Sequence, residues 1–173
     1  VILTQDYLKN ILDYNPETGD FTWLITPGKR IKAGCIAGSV NGLGYLIIKI
    51  NNKNYKAHRL AMLYMTGKWP KDQADHINHI KNDNRIVNLR EATDEENSKN
   101  APKRKDNTSG ITGVLWHSRD KVWQAQIAVT GKRKHLGYFD DKFESICARK
   151  SAENKYGYHE NHGRPAAGEG IWG

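Results

Sequence analysis

The sequence predicts an α+β fold built from two small modules. Short stretches of alternating apolar and polar residues, separated by Gly, Asn, Asp and Pro turns, occur in both halves of the chain. Four segments instead place apolar residues or caps at helical spacing. With 173 residues of which 38% are hydrophobic, one large core is a poorer expectation than two modest ones.

Thr4 is positioned to cap a first helix in which Tyr7, Leu8, Ile11 and Leu12 recur at helical spacing. Asn15-Pro16-Glu17-Thr18-Gly19-Asp20 then forms a turn, because Pro fixes one φ angle and Gly permits a positive one. Residues 21–24 follow as an aromatic strand, and residues 27–41, basic and glycine-rich, as a loop with a short strand. Strands at 44–50 and 55–57 flank Asn51-Asn52-Lys53-Asn54, which predicts a hairpin. Leu60, Ala61, Leu63, Tyr64 and Met65 mark a buried helix over 58–66 that Gly67 closes in the left-handed conformation. His58 at its start reads as structural, and Trp23 and Trp69 as the aromatic core of this N-terminal platform.

Residues 75–97 have a different character, with an Asp-His pair and many carboxamides in a short space. Such side chains need hydrogen-bond partners once they leave water, so their density marks either a solvated turn or a site. Thr93 and Glu96 form a capping box for a helix over about 94–100, which puts Asn97 on a helix. Residues 86–90 resume apolar alternation, so the expected order is short strand, loop, short strand, helix.

Asp75-His76, Asp83-Asn84-Arg85, Asn88-Leu89-Arg90 and Asn97, preceded by His58-Arg59-Leu60-Ala61, resemble the HNH nucleases, in particular the phage and intron-encoded homing endonucleases. The resemblance implies a ββα-metal core over 56–100, in which Asp75 and Asn97 hold one divalent ion, Mg²⁺ or another such as Mn²⁺. It further implies that His76 is the general base and that Asn88 orients that histidine or the scissile phosphate. The pattern departs from the family name at its last position, where Asn97 replaces a second His. The residue types suit the chemistry: neutral imidazole takes a proton from water near neutral pH, and Mg²⁺ favours a sparse shell of oxygen ligands. Adjacent residues of a regular strand face opposite ways, so a bend or strand end is expected at Asp75 and His76.

Beyond residue 100 a basic linker is expected over 101–109, with Lys103, Arg104 and Lys105 as candidate phosphate contacts. Strands at 113–117, 123–129 and 133–139, with turns at 118–121 and 130–132, precede a helix capped by Asp140 and ended by Gly157. Gly113-Val114-Leu115-Trp116, Trp123-Gln124-Ala125-Gln126-Ile127 and Leu136-Gly137-Tyr138-Phe139-Asp140 resemble the plant ethylene-response-factor DNA-binding domain. That resemblance implies a three-stranded sheet entering the major groove over 110–160, with His117, Arg119, Gln124, Gln126, Lys132, Arg133 and Lys134 as candidate DNA contacts. Residues 161–173 are expected to be a flexible tail.

The net charge of +8 points to a polyanionic partner, here double-stranded DNA. Cys35 and Cys147 form no Cys-x-x-Cys pair, which excludes a four-cysteine zinc ribbon, and Cys147 is expected to be buried. No apolar run is long enough to span a bilayer and Val1-Ile2-Leu3 is too short for a signal sequence, so a cytoplasmic protein is expected. A monomer is favoured. These features together predict a metal-dependent DNA endonuclease of the homing type, with a 1–100 nuclease domain and a C-terminal reader. The alternatives are a DNA-binding regulator on an inactive nuclease core, or an RNA-binding or structural phage protein.

Overall fold

The computed structural model describes residues 3–165 and divides the chain into two units, Val1–Thr93 and Asp94–Gly173. Both are mixed α and β, with short helices and small antiparallel sheets. The division falls within the expected nuclease domain, ahead of the expected linker.

In the first unit, helix α1 (Gln5–Ile11) starts where the Thr4 hydroxyl accepts a hydrogen bond from the Tyr7 amide at 3.3 Å. It buries Leu8 and Ile11, while Leu12 begins strand β1 (Leu12–Tyr14) and Tyr7 stays exposed. β1 pairs with β2 (Phe21–Trp23). A second sheet has the order β3 (Ser39–Val40), β4 (Leu46–Ile50), β5 (Lys53–Lys56). The β4 to β5 turn is tighter than the expected four-residue loop. Asn51 and Asn52, with φ of 48° and 62°, form it alone, as a two-residue hairpin turn needs positive φ at both central positions. Helix α2 (Ala57–Thr66) ends at Gly67, whose φ of 75° and N–H bond to Leu63 O complete the left-handed cap. Met65 lies on its exposed side.

These elements enclose one core that includes Leu8, Leu12, Phe21, Trp23, Ile48, Leu60 and Leu63, with Trp69 packed at its margin and its Nε1 donating to Leu3 O at 3.1 Å. Burying such side chains contributes roughly 1.5–3 kcal/mol each before chain entropy is subtracted. From this core emerge β6 (Gln73–His76) and β7 (Leu89–Ala92), an antiparallel pair joined by a long polar loop. Residues Ile86–Asn88 form a 3₁₀ turn rather than the first half of the expected strand, because the loop must turn back before pairing resumes.

The second unit begins with α3 (Asp94–Lys99), in agreement with the expected short helix. Its sheet has the order β10 (Lys132–Phe139), β9 (Val122–Val129), β8 (Val114–His117), and α4 (Lys142–Lys155) covers one face. Asp141, not Asp140, caps α4 by accepting from the Glu144 amide at 3.0 Å. Val114, Ala125 and Ile127 are buried on the face towards α4, with Ala152 of the helix. Cys147 is exposed, contrary to expectation, since it lies on the solvent side of α4.

Residues 101–109 are tied into this unit rather than strung out as a linker. Lys103 N bonds to Arg164 O at 3.0 Å, Gly163 N to Ala101 O at 2.9 Å, and Ser109 is buried. The start of the expected flexible tail is therefore fixed: His162 is buried and its Nε2 lies 3.1 Å from Arg149 Nη2. The remainder of that tail, 166–173, and residues 1–2 lie outside the described residues.

Candidate functional site

The site begins at the end of β6. Asp75 stands opposite Arg90 and His76 opposite Leu89, and after His76 the chain turns, with His79 N bonded to His76 O at 3.1 Å. The expected strand end is present. Even so, the two neighbouring side chains obey strand alternation and meet different partners. The Asp75 side chain, 11% exposed, accepts from Arg90 Nε and Nη2 at 3.1 and 3.0 Å. His76, 5% exposed, turns towards the protein interior.

Two residues bracket the His76 ring. His58, in the first turn of α2, meets it edge-on with ring centroids 4.6 Å apart at 79°. Asn84, fully enclosed by the loop, brings its Oδ1 to 3.4 Å from His76 Nε2. Burial lowers the His76 pKa below the ordinary 6.5, while the Asn84 contact and the Asp75 and Asp83 carboxylates oppose that shift. The imidazole is thus neutral at pH 7 and can accept a proton. Burial drives His58 further down, to about 3, helped by His76, Lys56 and Arg59, and its Nδ1 is buried without a hydrogen-bond partner.

The carboxamides of the loop bond to its backbone, to the Asp83 carboxylate and to His76. Asn88 Oδ1 accepts from Asn78 N at 3.0 Å, and Asn88 Nδ2 donates to Asp83 O at 2.9 Å, so this side chain braces both limbs of the loop. Asn78 Nδ2 donates to Asp83 Oδ2 at 2.7 Å. Arg85 grips the same carboxylate through Nε and Nη2 at 2.8 and 2.6 Å. These bonds, Arg85 first among them, hold the Asp83 carboxyl down at about 2.

The N-terminal hairpin then fixes the loop from outside. Tyr14 Oη donates to Asn84 O at 2.7 Å, and Ile86 N to Pro16 O at 3.1 Å. Gly19, at φ +81°, lies so close that a Cβ there would stand 2.6 Å from Arg85 N and from Asn84 C.

Each expected site residue therefore has a definite place. His76 occupies the buried centre, Asp75 the opposite face of the same strand end, and Asn88 the loop brace one step removed. Asn97 lies on α3 in the second unit. Asn84, His58 and Tyr45, whose ring centroid is 6.1 Å from that of His76, are added by the structure. Asn84 belongs to a triplet that the sequence marks out without indicating a role for it. No spacing rule could join positions 45, 58 and 76, which come from three elements. Among the described residues no three His, Cys, Asp or Glu side chains are grouped to hold a metal, and the expected Asp75 and Asn97 pair is a different kind of donor set.

In the second unit, β9 directs Gln124 and Gln126 away from α4, and their ladder partners Leu115, Tyr138 and His135 share that face. Gln124 Nε2 lies 3.2 Å from His135 Nδ1, and the His135 and Tyr138 ring centroids are 4.5 Å apart. Arg133, opposite Ala128, belongs to the same face. Lys134 does not: its Nζ donates to Tyr156 Oη at 2.9 Å at the end of α4. Three successive residues cannot share one side of a strand, so Lys132 also departs from the face that carries Arg133. His117 and Arg119 both engage Asp120 in the exposed turn, at 3.1 and 3.0 Å, and Arg104 engages Asp106 at 2.8 Å.

The first unit thus holds a buried neutral imidazole at a strand end beside a cross-braced Asn-rich loop, and in sequence the short helix α3 follows. Residues 55–99 match the HNH endonuclease family. The chain is also 36% identical over 62 residues to Protein 3.8 of Escherichia phage T7, an alignment that covers 36% of this chain and 51% of that protein. The chain thus spans about half the length of that curated relative. No solved structure matches. Among the described residues, no helix is long and apolar enough to cross a membrane.

Proposed function

We propose that this protein is a divalent-metal-dependent endonuclease of the homing type that hydrolyses a phosphodiester bond in double-stranded DNA. The observation that carries the reading is His76: a buried imidazole, lowered in pKa by that burial, at the strand end of an HNH domain. His76, whose Nε2 lies 3.4 Å from Asn84 Oδ1, is the group that accepts a proton from the attacking water. Asn88 acts as a positioning residue, since it braces the loop that carries Asn84.

The donor chemistry fits a hard cation. Asp75 presents a carboxylate anchored by Arg90, and Asn97, assigned by resemblance alone, adds a carboxamide oxygen. Bound there, Mg²⁺ or Mn²⁺ would offset charge on the phosphate and the departing 3′ oxygen. Gln124, Gln126 and Arg133 are the candidates for reading base edges from the sheet, with Arg119 and Lys103 to Lys105 left to backbone contacts.

A supercoiled plasmid assay tests this reading. Wild-type protein should nick or linearise the plasmid with Mg²⁺ and should fail to do so with chelator. Cleavage that survives chelation removes the metal from the proposal, and cleavage by neither protein nor metal-loaded protein removes the nuclease.

A further inference from the structure

Tyr45, Lys56 and Lys81 come from the residue before β4, the end of β5 and the polar loop, yet they meet beside His76. The Lys56 ammonium lies 4.4 Å from the Tyr45 ring centroid and that of Lys81 lies 5.1 Å from it. The same ring is 5.5 Å from His58 and 6.1 Å from His76, centroid to centroid. Lys81 is held further by a bond from Nζ to Leu43 O at 3.0 Å. Two like charges are thereby drawn to one aromatic surface, each attracted by the ring but repelled by the other.

Nothing among the described residues neutralises them. The carboxylates near His76 are already engaged, Asp75 by Arg90 and Asp83 by Arg85, whereas neither lysine forms a salt bridge. Both lysines are exposed, and Lys56 is close enough for its charge to act on both His58 and His76. A pair of unpaired cations on an ordered support, next to a proton acceptor, is complementary to a chain of phosphates.

We infer that Tyr45, Lys56 and Lys81 form a backbone clamp for the DNA strand to be cut, with the lysines gripping phosphates beside the scissile one. The clamp rests on the nuclease reading and assigns the N-terminal unit its own share of DNA affinity, independent of the C-terminal sheet. Tyr45 preorganises the two ammoniums, so less side-chain freedom is lost when the strand docks.

The test uses the full chain and a 30-base-pair duplex, with binding followed by fluorescence anisotropy in chelator across a salt series and cleavage measured separately with Mg²⁺. For Lys56→Gln combined with Lys81→Gln, the log-log salt slope should fall in magnitude by about 1.8, at about 0.9 per phosphate contact. KM for cleavage should rise on the order of 10- to 100-fold while kcat stays within about threefold. Tyr45→Leu should weaken binding several-fold with the slope unchanged, because both charges remain. An unchanged slope and KM in the lysine pair would overturn the clamp. So would an equal fall in slope from Lys9→Gln combined with Lys68→Gln, which would reveal a diffuse field instead. Failure of the wild-type chain to bind or cut DNA would instead overturn the nuclease reading itself.

Discussion

At the scale of single residues, the proposed function gives the histidine pair two different jobs. His76→Ala should lower the cleavage rate about 10²- to 10⁴-fold with nearly unchanged DNA affinity, since it removes a proton acceptor but few phosphate contacts. Rates within a few-fold of wild type in a single-turnover assay would take His76 out of the mechanism. His58 should show itself in stability. Its folded pKa of about 3 lies below the unfolded 6.5, so the unfolded chain binds the extra proton. The stability this group lends is complete above pH 6.5 and is lost as pH falls towards 3, at a slope approaching about 1.4 kcal/mol per pH unit within that window. Urea denaturation at pH 7 and pH 5 should show this loss in wild type, and His58→Phe should flatten it. Equal pH slopes in the two proteins would show that His58 is protonated without penalty.

At the scale of elements, the polar loop behaves as a part held from two sides. Gly19→Ala should unseat it, because the new Cβ would meet backbone atoms at 2.6 Å in a left-handed conformation that alanine resists. Cleavage should fall at least tenfold while the C-terminal sheet keeps its fold, as amide spectra of Gln124 to Ala128 would report; wild-type cleavage would show that the hairpin yields easily. The sequence made Asp75, His76 and the Asn-rich loop visible because close spacing in the chain becomes closeness in space at a hairpin. It also revealed the helix caps at Thr4 and Gly67, where one residue's chemistry determines the end of an element. It could not show that Asn84 faces His76 or that Asn88 braces the loop, since both are equivalent carboxamides until the loop folds. The error over Lys132 to Lys134 came from reading basic residues as a block, although strand alternation alone would have separated them.

At the scale of the whole molecule, affinity and site preference should be separable. Gln124→Ala with Arg133→Ala should relax sequence preference while non-specific plasmid cleavage persists, whereas retained preference would take site reading away from the sheet. Removing everything after residue 109 is a less clean test, because His159 N bonds to Lys99 O and Lys103 N to Arg164 O, so the cut would also disturb the helix that carries Asn97. The family match starts at residue 55, but the bonds that hold Asn84 and Ile86 in place come from Tyr14 and Pro16. The recognisable motif is therefore smaller than the working part. Grafted alone into another protein, residues 55–99 would carry His76, the proposed general base, without the scaffold that aims its neighbours, and a transferable cassette would have to begin upstream of Tyr14.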